Sequence, residues 1–281
     1  RSFANLALGN YDDALLDLYG LESILLDDPR YHIVLGNIYH KQNKNDKAIN
    51  AYTKSIESSF TDDMLAQALL KRGLVYESLL KYDLANQDFI NSVKADESVA
   101  LQYLNPSFYD MHLDPQNSLS ELSDILLESP ENVLALINRG ATYYVLHNDT
   151  AAMHDFDKAL QLVPEFHKAR DGRATINTTQ QRYQRAIDDF EILIDTEQYR
   201  TPCTLFNLAV SYNGTEEEGK ANQYFVEAIN LATGEIDRDA SNGKAYYQRG
   251  LSEDVLGQDI KALFDFLEAK KIMKERVDYH L

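Results

Sequence analysis

The side chains that could do chemistry in this sequence are few and scattered. Its seven histidines are His32, His40, His112, His147, His154, His167 and His280. A helical zinc pair needs histidines four residues apart, with further ligands nearby. His147 and His154 are seven apart, and a turn is predicted between them at Asn148-Asp149. Asp110, His112 and Asp114 are close in sequence but read as loop residues, so no metal site is expected. Cys203 is the single cysteine; no internal disulfide can form, and a reducing compartment fits that usage. Neither a neighbouring histidine nor a helix start is evident to activate it, so it reads as an inert, partly buried thiol. Paired acids such as Asp188-Asp189 and Glu216-Glu217-Glu218 read as solvated charges, because such pairs are too common to imply acid–base catalysis. No Gly-rich phosphate loop, nucleophile elbow or kinase signature occurs. The glycosylation triplets that begin at Asn148, Asn177 and Asn213 read as chance. The residues thus predict no catalytic activity and no cofactor.

Charge narrows the partners. Forty-five acids against 27 bases leave a net charge of −18. A phosphate backbone needs a Lys/Arg face, so nucleic acid is not an expected partner. Anionic membrane surfaces are disfavoured for the same reason. No run approaches the roughly 18 apolar residues of a membrane span. No charged-then-apolar leader is visible, and a cytoplasmic location is expected, although a chain that opens at Arg1 inside a repeat leaves room for upstream residues.

The elements that must position any functional side chain follow from a periodicity. Ala14, Ala48, Ala85, Ser118, Ala152, Ala186, Ala221 and Ala262 recur at intervals of 34, 37, 33, 34, 34, 35 and 41 residues. Four residues after each stands a large apolar residue: Leu18, Tyr52, Phe89, Leu122, Phe156, Phe190, Phe225, Phe266. Twelve residues before most of them stands another small one: Gly36, Gly73, Gly140, Ala174, Ala209, Gly250. A period in the thirties marks a repeat architecture, in which each unit buries its apolar face on its neighbours. Spacings of three and four, as in Leu35, Gly36 and Tyr39 and then Ala48, Tyr52 and Ile56, predict two helices joined by a polar turn. Gly36 and Ala48 would let the two backbones approach, and Tyr39 and Tyr52 would fill the space before the next hairpin.

This pattern resembles the tetratricopeptide repeat: a Leu-Gly or Arg-Gly pair, a Tyr, a small residue, an aromatic, a small residue and Pro, in about eight units. Pro164 falls where a second helix should stop. The resemblance implies an all-α, right-handed superhelical solenoid of antiparallel helix-turn-helix repeats. Three departures set the expected organisation. The first unit lacks most of its first helix. The fourth has Pro106 and Ser118 at the Gly and Ala places, although Tyr109 and Pro130 keep register, and predicts a broken helix around Leu104–Asp114. The eighth is displaced by seven residues, assigned to a loop at Gly234–Gly243. The predicted domains are therefore 1–97 (repeats one to three), 98–130 (the irregular fourth) and 131–281 (repeats five to eight). Arg72, Arg139 and Arg249 each stand 16 residues before Asp88, Asp155 and Asp265, predicting surface Arg–Asp contacts within hairpins worth about 0–1 kcal/mol each.

In such a solenoid the first helix of each unit lines the inner face. Residues there opposite the packed stripe are Ile137, Asn138, Tyr144, Lys168, Asp171, Thr175, Cys203, Phe206, Asn207, Asn213, Lys244, Tyr247 and Gln248. Amides can pair with the main chain of an extended peptide, and apolar anchors between them select its side chains. The predicted peptide groove is Asn138, Tyr144, Lys168, Phe206, Asn207, Asn213, Lys244, Tyr247 and Gln248. The expected function is a non-catalytic scaffold or adaptor that holds a peptide segment or partner helix. The family resemblance adds a co-chaperone alternative through a carboxylate clamp. Asn138 with Lys168, Asn207 with Lys244, and Asn37 match parts of that clamp. Ile33, Asp171, Gly172 and Gln248 leave it incomplete. A regulatory repeat domain of a larger enzyme is a further alternative. Open ends of the stack would allow end-to-end self-association.

Overall fold

A computed structural model describes residues 10–102 and 114–278, which form helices and short connections with no strand among them. The predicted break around Leu104–Asp114, together with Pro106, Tyr109, Asp110 and His112, lies almost wholly outside the described residues, as does His280. Contacts group the chain into two units, Arg1–Phe166 and His167–Leu281.

In the first unit the helices are α1 (Tyr11–Tyr19), α2 (Glu22–Leu25), α3 (Pro29–Lys41), α4 (Asn45–Ser58), α5 (Asp62–Ser78), α6 (Tyr82–Ala95), α7 (Glu97–Gln102), α8 (Pro115–Glu128), α9 (Val133–Val145) and α10 (Asp149–Leu162). In the second they are α11 (His167–Thr179), α12 (Tyr183–Ile194), α13 (Pro202–Gly214), α14 (Glu218–Arg238), α15 (Gly243–Val255) and α16 (Asp259–Asp278), with a 3-10 turn at Glu197–Tyr199. Hairpins form from α3 with α4, α5 with α6 and α9 with α10, and from α11 with α12, α13 with α14 and α15 with α16. Within each unit the second helix of one hairpin packs on the first helix of the next, as α4 does on α5 and α14 on α15.

Local chemistry starts these helices where it should. The side chain of Asn132 accepts the Ala135 N–H at 3.0 Å at the head of α9. Asp28 and Thr201 cap α3 and α13 in the same way, each followed by a proline at the first helical position. Such caps satisfy N–H groups that have no partner inside the helix, and Pro loses nothing there. Between first and second helices the backbone turns through the left-handed region at Asn43, Leu80, His147, Gln181, Glu216 and Gly257. Each lies seven residues after the repeat's small residue, so one turn geometry recurs in six hairpins. Only Gly257 adopts it without steric cost.

The small residue and the aromatic 16 positions on form the centre of each hairpin. A Cβ added at Gly36 would lie 2.5 Å from the Tyr52 ring, at Gly73 2.7 Å from Phe89, at Gly140 2.7 Å from Phe156 and at Gly250 2.9 Å from Phe266. The ring therefore lies flat against its own hairpin's first helix, and the missing side chain makes room for it. This corrects the expectation for Tyr52, which fills its own hairpin: its hydroxyl donates to Asn37 Oδ1 at 2.9 Å. Phe190 and Phe225 are fully buried as well, in one core cluster with Ala174 and Ala209.

The Arg–Asp pairs also differ from expectation. They recur as forks: Arg139 donates to Asp155 at 2.7 and 2.9 Å, Arg72 to Asp88 at 2.8 and 2.8 Å, and Arg249 to Asp265 at 2.6 and 2.8 Å. A fourth, Arg173 with Asp189, is joined by Arg170. The carboxylates are 1–7% exposed, so these are not surface pairs. Two of the guanidiniums also reach the preceding hairpin, Arg72 through Thr53 at 2.9 Å and Arg249 through Thr233 at 3.2 Å. The pairs thus tie hairpins together as well as closing each one.

The eighth repeat holds a further correction. The extra residues lengthen α14, which runs 21 residues to Arg238, and only residues 239–242 form the connection. Ala228, Ala232 and Ile236 continue the buried stripe at four-residue spacing, so the helix keeps its packing through Gly234.

Beside Arg249–Asp265, Glu253 is buried and its Oε2 has no hydrogen-bond partner. Burial, and then the Asp265 charge, hold its pKa above the ordinary 4.5. A carboxyl raised in the fold contributes stability fully below its unfolded value, and that contribution is lost as pH rises through the folded one. Glu253→Gln is therefore expected to stabilise the chain at pH 7 and not at pH 4. Calorimetric melts at both pH values check this; an equal shift at both would reject it.

Candidate functional site

In the first unit, Asn138 and Tyr144 both project from α9. Asn138 is half-buried and lines a cavity of about 110 Å³ with Leu74, Glu77, Leu122 and Asn132. Tyr144 is exposed. Ile137 does not belong to an open face: it is 3% exposed and part of the core. A cavity of about 310 Å³ is lined by Asn37, His40, Lys41, Tyr52, Lys71 and Leu74. Burial, followed by the Lys41 charge, lowers the Lys71 pKa. Sequence reasoning missed Lys41 and Lys71, because each lies outside the aligned positions compared between repeats.

In the second unit three consecutive first helices carry the predicted residues, and Lys168 and Asp171 of the first and Lys244 of the third act on Cys203 of the second. Lys168 and Asp171 come from α11, Cys203, Phe206 and Asn207 from α13, and Lys244, Tyr247 and Gln248 from α15. The Cys203 thiol senses this convergence. Burial and then Asp171 push its pKa up, while Lys244 and Lys168 pull it down. Cys203 does stand in the first turn of α13, contrary to expectation. Burial outweighs the helix end, so the thiol stays protonated and unreactive near neutral pH.

The face is mixed in character. Phe206 is half-buried, its ring 5.6 Å from Phe225. Tyr247 is 45% exposed and leans on Phe266 at 5.8 Å. Both aromatics are held from behind by the repeat's own core ring. Asn207 is half-buried with its amide 4.0 Å from the Cys203 sulfur. Lys168 pairs with Asp171 at 3.4 Å. Lys244 is exposed, and Gln248 is half-buried with its Oε1 atom buried and without a hydrogen-bond partner. Asn213 is exposed at the end of α13, nearly two turns from Asn207. Such a surface offers amide donors and acceptors between aromatic anchors, and holds no nucleophile–base pair. Among the described residues no group of three or more His, Cys, Asp or Glu could hold a metal ion, and no helix is long and apolar enough to cross a membrane.

The tetratricopeptide repeat family model matches residues 29–62, the α3–α4 hairpin and its exit. A tetratricopeptide repeat protein from Parabacteroides merdae is 21% identical over 96% of this chain and 90% of its own, with a TM-score of 0.42. MamA from Desulfovibrio magneticus is 18% identical over 62% of this chain and 94% of its own, with a TM-score of 0.44. A human IFIT1 dimer with PPP-AAAA is 15% identical over 94% of this chain and 69% of its own, with a TM-score of 0.40. The hairpin at residues 29–62 is thus similar to the tetratricopeptide repeat, and it shares its glycine-on-aromatic contact with the hairpins centred on Gly73, Gly140 and Gly250.

Proposed function

We propose that this protein is a non-catalytic interaction scaffold whose second unit holds an extended peptide along the first-helix face formed by Lys168, Phe206, Asn207, Lys244, Tyr247 and Gln248. Asn138 and Tyr144 offer the same chemistry on the first unit. The observation that carries this reading is the convergence on Cys203 of charges from α11 and α15, which supports one continuous face across three hairpins. On it, Asn207 and Gln248 can meet peptide main-chain groups, and Phe206 and Tyr247 supply apolar anchors. Lys168 is already engaged by Asp171, leaving Lys244 as the exposed cation for an acidic side chain of the ligand.

The test is selection from a random peptide display library on the folded chain. Phe206→Ala/Asn207→Ala/Tyr247→Ala is expected to weaken the selected peptides at least tenfold with helicity unchanged. Undiminished binding would remove this face from the function. The carboxylate-clamp alternative is separated by one further comparison. Asp171 beside Lys168 opposes capture of a terminal carboxylate, so amidating the C-terminus of an acidic peptide is expected to change its affinity less than twofold. A tenfold loss would restore the clamp.

A further inference from the structure

The last helix carries an apolar stripe that the repeat does not account for. Ile260, Leu263, Phe264 and Leu267 are 87, 59, 67 and 58% exposed. They stand at spacings of three and four on one face of α16. Single exposed apolar residues are ordinary, but a contiguous stripe of large ones marks an interaction surface.

Comparison between hairpins sharpens this. Phe264 lies two residues after the small residue Ala262. At that place the second to seventh hairpins have Asn50, Gln87, Ser120, His154, Asp188 and Gln223, all exposed. Ile260 lies two residues before Ala262. There the same hairpins have Asp46, Asp83, Gln116, Thr150, Gln184 and Gly219, again all exposed. Within each unit, hairpins followed by another still show these two places to solvent. A further hairpin stacked after α16 would therefore leave Ile260 and Phe264 uncovered. Ile260 and Phe264 thus belong to the side of the helix, whereas Leu263 stands where Asn86 and Ile187 are buried and Leu267 where Thr53 and Ile90 are half-buried. Leu16 of α1 is the one other apolar residue at the Phe264 place among the described hairpins.

Charge selects the occupant. The chain carries −18, but α16 is neutral. Its acids are Asp259, Asp265, Glu268, Glu275 and Asp278, against Lys261, Lys270, Lys271, Lys274 and Arg276. The order matters as well. Asp254 near the end of α15 and Asp259 at the start of α16 are exposed acids, with Lys261 beside them; Lys270, Lys271 and Lys274 follow the stripe, Lys271 paired with Glu268 at 3.6 Å. A helix that is acidic at one end and basic at the other is complementary to itself when paired antiparallel. Such a pairing has the two-fold symmetry of most homodimers. Charges elsewhere on the chain are screened beyond about 8 Å at physiological salt.

We infer that α16 is a homodimerisation surface: two copies of this chain pair their α16 stripes antiparallel, with Phe264 and Leu267 near the two-fold axis and the Asp254–Asp259 end of each copy against Lys271 and Lys274 of the other. This contact takes in the helix side that carries Ile260 and Phe264 and is separate from the peptide face. Four side chains make a patch well below the roughly 800 Å² per partner of a stable interface. The dimer is accordingly weak, with a dissociation constant on the order of 10–100 μM.

Sedimentation velocity of the 281-residue chain across that concentration range tests the inference. The native chain is expected to pass from monomer to dimer, and Ile260→Glu/Phe264→Glu to weaken dimerisation at least tenfold with an unchanged helical spectrum. Asp254→Lys/Asp259→Lys and Lys271→Glu/Lys274→Glu are each expected to dimerise more weakly alone. Mixed, they are expected to recover the native affinity by forming heterodimers. A native chain that stays monomeric throughout, or a dimer indifferent to Phe264→Glu, overturns the inference. So does a monomer that floats with phosphatidylserine-containing vesicles and loses them on Phe264→Glu, which would make the stripe a membrane contact.

Discussion

Replacing Arg139 by Met is expected to destabilise the fold by about 3–5 kcal/mol, far more than the loss of a surface ion pair. Asp155 is 1% exposed and accepts two N–H bonds from the Arg139 fork. Its remaining polar neighbour is His154, 3.4 Å away and 74% exposed. Methionine would preserve much of the arginine stem's packing but leave a carboxylate in the hairpin interior without its donors. The cost is that of an orphaned buried charge, not the net worth of the pair. The two separate experimentally. Arg139→Met/Asp155→Leu removes both charges and is expected to recover most of the loss, because replacing a whole buried pair with apolar groups is often close to neutral. Arg139→Lys keeps the charge without the fork and should fall between them. Urea unfolding of the three variants gives the comparison. A single-variant loss below 1 kcal/mol would return these pairs to the surface category first expected of them.

These pairs show what the sequence could and could not express. The repeat period, the small residues and their aromatics were legible because tertiary contact at fixed separation leaves a fixed spacing. The 16-residue Arg–Asp interval was visible for the same reason at Arg72, Arg139 and Arg249. Their burial was not, since a charged residue looks alike on either side of a helix until its neighbours are known. Arg173–Asp189 has the same interval and escaped notice because Ala174 replaces glycine in that hairpin. The connection before α15 was misassigned for a related reason. Gly234 and Asp237 resemble a loop by composition, whereas Ala228, Ala232 and Ile236 carry a buried stripe that overrides local propensity. Of the candidate site, the alternation of helix faces selected Lys168, Phe206, Asn207, Lys244 and Tyr247, none of which is fully buried, although Phe206 packs against the core. Ile137 failed because α9 is buried on more than one side, with Val133 through Ile137 all in the core. The stripe on α16 was readable only by comparing equivalent positions between hairpins, since single-helix patterning cannot distinguish an apolar residue turned inward from one turned outward.

Phe156→Ala is expected to cost about 3–5 kcal/mol, the range for emptying a buried aromatic site. Phe156 is 3% exposed and lies on Gly140, where no side chain exists to relax into the vacated space. That arrangement predicts a reversal of sign at the glycine. In the native chain Gly140→Ala would place a Cβ 2.7 Å from a ring atom of Phe156. The crowding should outweigh the roughly 1 kcal/mol that alanine gains over glycine inside a helix. In the Phe156→Ala background the obstruction is gone, so Gly140→Ala should instead stabilise by about 1 kcal/mol. The coupling between the two sites is then about 2 kcal/mol, well outside the additivity expected of independent positions. The loss should also be local. Repeats in a stack are held by their own core and their neighbours, so amide exchange in Phe156→Ala should accelerate most in α9 and α10, next in α8, and least in α3 and α4. Uniform acceleration across the first unit would mean that it unfolds as one cooperative block, and the hairpin would then be a structural period without being an energetic one.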